Sequence, residues 1–251
     1  MKTSGWDAEA WREVLGRLAL DTPPVAVRFS PDPPAGLSRL GDGMALCEML
    51  KHAREGASFY ADAGSHTCPA GSYVVHGQEA PPPYKSGELG AGLQIFRDAH
   101  AAAGIYDHVP TLEPGTARYV AFAPLPQVTF EPDLLVVLAG LRQAEILLRA
   151  MSYATGGMWT SKYTNVLGCS WLLAQPHLSG EVNYVTTGFS FGMRLRQVFD
   201  EGLQVVSIPR PLFPELLSNL QEMPWVLPAF QPDGKEFLRD LRTGLGLEPL
   251  R

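Results

Sequence analysis

The sequence predicts an α/β, or α+β, layered domain: one mixed sheet with flanking helices. Short runs of β-branched residues interleave with segments of helical periodicity along the whole chain. At 251 residues and 45% hydrophobic content the chain can bury a sizeable core. It holds no short-period repeat and no low-complexity tract. Residues 1–251 read as a single domain, with the proline-rich run 79–87 as a candidate internal boundary.

In chain order, Trp6, Trp11, Val14, Leu15, Leu18 and Leu20 share one face of a first helix that ends before Pro23–Pro24. VAVRFS at 25–30 reads as a strand, and a Pro/Gly-rich loop follows. Met44 to Glu55 has helical spacing and stops at Gly56. Ser58–Ala61 and Ser72–His76 read as short strands on either side of Cys68, and Gly92–Ala103 as a helix. Ala117–Ala123 and Leu134–Leu138 are predicted strands of buried character, followed by an amphipathic helix over Leu141–Ala154. Asn165–Leu173 is a predicted helix carrying Cys169. Glu181–Thr186 and Leu203–Ile208 are predicted strands, separated by a helix at Met193–Glu201. Pro211–Gln221 and Gly234–Leu245 close the chain as helices.

Charge and motifs exclude several functions. A net charge of −6 with scattered basic residues leaves no footprint for nucleic acid. The longest apolar run, LLVVLAGL, is too short to span a bilayer. The N-terminus lacks the continuous apolar segment of a signal peptide, so a soluble, cytoplasmic protein is expected. GFSFG at 188–192 matches the nucleophile elbow of serine hydrolases, but every histidine precedes Ser190, which excludes the usual α/β-hydrolase order. GELGAGLQ lacks both the dinucleotide glycine order and a Walker lysine.

The informative residues are three cysteines, Cys47, Cys68 and Cys169. An odd count without an export signal argues for reduced thiols, and without a CxxC clip only the fold can bring them together. As ligands they can hold zinc with a histidine, or three corners of a 4Fe–4S cluster. As core residues they need do nothing, since free cysteine is among the most buried types.

LALDTPPVAVRFSPDPP, CEMLKHAREGASFYAD, CPAGSYVVHG, YVAFAPLPQVTFEPDLLVVLAGLRQAEILLRA and VNYVTTGFSFGMRLRQVFDEGLQVVSIP, taken together, resemble the family called domain of unknown function 169 (DUF169). The resemblance runs over roughly residues 10 to 212. It implies a further cysteine near the start of GFSFGMR, where this chain has Phe189, Ser190 and Phe191. A cluster held by Cys47, Cys68 and Cys169 would then keep an open iron, which suits a lyase, a dehydratase or sulfur removal from a small-molecule substrate. Glu48 and His66, next to the first two thiols, are the expected acid or base, and Arg194 the expected anion holder. Arg54 and Tyr60 are weaker candidates. A non-catalytic binding protein and a structural zinc protein are the alternatives.

Overall fold

The computed structural model describes residues 6–248. Seven strands form one sheet: β1 (Val25–Ser30), β2 (Ser38–Arg39), β3 (Phe59–Asp62), β4 (Tyr119–Pro124), β5 (Leu134–Ala139), β6 (Asn183–Thr186) and β7 (Gln204–Pro209). Their order across the sheet is β2-β3-β4-β1-β5-β7-β6. Every pairing is antiparallel except β2 with β3, so the sheet is mixed and the fold is α/β. β3 pairs with β4, so strands from both sides of segment 79–87 share this sheet.

The helices are α1 (Ala8–Gly16), α2 (Leu46–Arg54), α3 (Pro69–His76), α4 (Pro82–Lys85), α5 (Glu88–Gly92), α6 (Ala99–Ala103), α7 (Leu141–Ser152), α8 (Gln175–Ser179), α9 (Phe191–Leu195), α10 (Phe213–Glu222) and α11 (Gly234–Gly244). No helix among the described residues is long and apolar enough to cross a membrane.

The side-chain period of two divides the sheet between two cores. Val25, Val27, Phe29, Phe122, Leu134 and Val136 face a core completed by α2, α3 and the segment around Cys169. Ala26, Ala123, Leu135, Val137, Val206 and Ile208 face the opposite core, completed by α1, α7 and α10. The register Val27↔Phe122 and Val27↔Leu134 stacks large residues on the first face. Both faces of the central strands are covered, which is why they read as continuous apolar runs.

Two predicted elements change type or break. Ser72–His76 is the end of helix α3, not a strand. Pro69 starts that helix at its first position, where no N–H is missed, and Gly77 ends it in the left-handed region at φ 65°. Val74 and Val75 are buried against the sheet, so packing overrides their β preference. Of the expected Gly92–Ala103 helix only the last part, Ala99–Ala103, forms, and Gly92 ends α5. Gln94 has φ 56°, and Asp98 starts α6 afresh by accepting from the Ala101 N–H at 2.9 Å. The helix expected over Met193–Glu201 is shorter and earlier, at α9.

Candidate functional site

Each thiol lies in the first turn of a helix or just ahead of one. Cys47 is the second residue of α2, Cys68 immediately precedes α3, and Cys169 immediately precedes a π-helical turn, Ser170–Ala174, that runs into α8. Unpaired N–H groups at a helix start favour negative charge, so the ends of α2 and α3 suit thiolates.

Local pairing joins the first two of these segments. The Met44 N–H donates to the Ser65 carbonyl at 2.9 Å and the Thr67 N–H donates back to the Met44 carbonyl at 3.1 Å, tying the Cys47 segment to the Cys68 segment. The Cys169 segment is anchored from two sides. Asn183 Nδ2 donates to the Trp171 carbonyl at 2.7 Å, and the Ser170 hydroxyl donates to the Pro110 carbonyl.

The thiols come near enough to feel one another. Burial pushes the Cys47 thiol up to about 11, against a partly offsetting pull from the Arg196 charge and a further push from Cys68. Cys169 is raised further, first by burial and then by Cys47 and Cys68. Cys47 and Cys169 are buried, Cys68 is half-buried, and all three are free thiols. Among the described residues no group of three His, Cys, Asp or Glu is gathered as a single metal ion requires.

An apolar cavity of about 320 Å³ opens beside this cluster. Cys68 lies in its wall together with Leu93, Phe96, Leu167 and Phe191, and Tyr84, Tyr106 and Arg196 bring polar groups to it. Tyr84 lies close enough to both Cys68 and Arg196 to sense their charges. The GFSFG turn reaches the site from the other side. The Phe191 N–H donates to the Asn165 carbonyl at 2.9 Å. Ser190 is buried, and its hydroxyl oxygen lies 2.8 Å from where a Cβ on Gly168 would stand, next to Cys169. Ser190 interacts with Tyr163, which senses the Cys169 charge.

The expected acid, base and anion holder occupy other places. Glu48 Oε2 accepts from the Ala45 N–H at 2.8 Å, so its immediate work is capping α2. His66 faces His76, not a thiol. The His76 Nδ1 lies 2.5 Å from the Ala117 carbonyl, which can only accept, so Nδ1 carries the proton and Nε2 is a bare acceptor. His66 Nε2–H therefore donates to it at 2.9 Å, leaving His66 Nδ1 buried without a partner. Burial first, then the neighbouring ring, pushes His66 down to about 4. Arg194 pairs with Glu201 at 2.8 Å and lines a separate polar cavity of about 360 Å³. The arginine at the thiol cavity is Arg196, two residues on. Five-residue α9 turns Arg194 outward and Arg196 inward, a difference that reading GFSFGMR as a turn does not reveal. Arg54 donates to the Val198 carbonyl at 3.2 Å, and Tyr60 packs edge-on against Tyr119.

The DUF169 family profile, described as "Uncharacterised ArCR", matches residues 16–219. The chain belongs to this family. The match begins at the end of α1 and closes within α10, so it takes in the whole sheet of this DUF169 protein and all three thiols. An uncharacterised protein of Methanocaldococcus jannaschii is 30% identical over 160 residues, covering 62% of this chain and 68% of its own. No solved structure matches.

Proposed function

We propose that this DUF169 protein is a small-molecule enzyme of lyase, dehydratase or sulfur-removing type, with a 4Fe–4S cluster held by Cys47, Cys68 and Cys169. One observation carries the reading: the chain's three thiols, far apart in sequence, lie within reach of one another's charge beside an apolar cavity.

The donor set fits such a group. It is sulfur only, and Cys47 and Cys68 sit at helix starts that favour anions. When bound, a cluster with three protein ligands supplies an iron that can act as a Lewis acid toward a substrate oxygen or sulfur.

The chain's own residues have definable tasks. The thiols must give up their protons on loading, which burial opposes at Cys47 and Cys169 and the Arg196 charge assists at Cys47. The apolar wall offers hydrocarbon contact to a bound molecule, and Tyr84 and Arg196 supply the hydrogen-bond donors that orient it. The deep burial of two neutral thiols also favours a second reading, a binding protein whose cysteines are core residues.

Purification without oxygen, followed by iron and sulfide analysis, tests the proposal. The expected result is a brown protein absorbing broadly at roughly 400 nm, with colour lost in the Cys47→Ser, Cys68→Ser and Cys169→Ser variants. A colourless protein with stoichiometric zinc would overturn it in favour of a structural metal. A metal-free protein that resists reconstitution would leave the binding reading.

A further inference from the structure

We infer that the cavity beside the thiols selects a monocarboxylic acid with an apolar body, and that Arg196 is the residue that sets this specificity. The inference deepens the proposed function and rests on its cavity, though not on the cluster being loaded.

Arg196 is a half-buried guanidinium with most of its donors unspent. Its Nη1 donates to the Gly192 carbonyl at 3.2 Å. Its Nε stands 3.9 Å from Glu48 Oε2, beyond hydrogen-bond reach, and that oxygen already accepts from the Ala45 N–H. A guanidinium has five N–H donors in a planar fork, and the group that satisfies a fork is a carboxylate or a phosphate. Tyr84, which also lines the cavity and senses Arg196, adds a phenolic donor for the same headgroup.

Two features choose between the anions and define the rest of the molecule. One cation serves the cavity and the Glu48 carboxylate already stands 3.9 Å from it, so a single negative charge is the most the site can balance and a second is opposed. Apart from Cys68 and Tyr106 the side chains of the remaining wall are hydrocarbon, chiefly Leu89, Leu93, Ile95, Phe96, Val166 and Leu195, and offer an aliphatic or aromatic body apolar contact. Leu89, Leu93 and Leu195 are 36%, 43% and 67% exposed, an apolar cost that a seated ligand relieves. At about 320 Å³ the space is that of a small metabolite.

Calorimetric titration of the full chain with 4-phenylbutyrate, 4-phenylbutanol and phenethyl phosphate is the test. The acid is expected to bind at least about tenfold more tightly than the alcohol, and more tightly than the phosphate. Arg196→Gln should shrink the acid-over-alcohol preference to about twofold or less, while Arg196→Lys should retain part of it. Equal affinities in the wild type, a preference that survives in Arg196→Gln, or no binding of the acid would overturn the inference. Tighter binding of the phosphate would overturn the carboxylate assignment. If Arg196→Gln does not fold, the wild-type acid-to-alcohol ratio and the Arg196→Lys variant still decide. Iron analysis on the same samples separates the two ideas. Acid selection in a colourless, iron-free protein leaves this inference standing without the cluster, and a brown protein indifferent to acids does the reverse.

Discussion

At the scale of single residues, burial sets the chemistry of the thiols and of the paired histidines. In metal-free protein at neutral pH, Cys47 and Cys169 are held as neutral thiols, whereas Cys68 is half-buried at the cavity. Iodoacetamide followed by mass spectrometry should label Cys68 first, and Cys47 labelling should accelerate only as the pH climbs toward about 11. Preferential labelling of Cys169 would contradict this order. The His66–His76 pair makes a separate prediction. His66 is held near 4 in the folded chain against 6.5 when free, so the unfolded chain binds the extra proton between those values. The pair's contribution is fully present above about pH 6.5 and is lost as the pH falls toward 4. The cost is at most about 3 kcal/mol, read as a drop in urea midpoint that His66→Phe should reduce. The six histidines and three cysteines were visible in the sequence as candidates. Which of them face one another was not, because His66 and Cys68 are two residues apart yet point to different neighbours.

At the scale of elements, short pieces with specific ends shape the cavity. Gly87 precedes α5 with φ 80°, and a Cβ there would stand 1.9 Å from the Ala99 carbonyl oxygen. Gly87→Ala should therefore cost at least about 2 kcal/mol and weaken acid binding, because α5 carries Leu89 and Gly90 in the cavity wall. Thermal melts and the calorimetric titration check both halves. On the other face, Arg149 bonds Glu145 at 2.6 Å and the carbonyls of Pro224 and Trp225 at 2.9 and 3.0 Å. Arg149→Ala should cost about 1–3 kcal/mol by freeing those carbonyls, without altering the thiol site. Strands and long helices were legible from their periodicity. α3 and the break at Gln94 were not, since short apolar segments fit either period until packing chooses one.

At the scale of the whole molecule, one sheet serves two cores, so damage to either face should appear in the same unfolding transition. Phe122→Ala on the thiol side should cost about 3–5 kcal/mol, and Leu147→Ala on the other side about 2–5 kcal/mol. Each should shift a single, probe-independent transition, and separate melting of the two faces would refute this. The alternation of apolar runs with helical segments determined by itself that the chain makes a sheet covered by helices. It also singled out the three cysteines as the residues to watch. Only the tertiary structure decided that they lie within reach of one another's charge, that Arg196 and not Arg194 lines the cavity beside them, and that this apolar cavity opens at Cys68. The reason is physical. Secondary structure follows from patterns within a few residues, whereas a site joining positions 47, 68, 169 and 196 is set by strand register and helix packing, which local pattern does not encode.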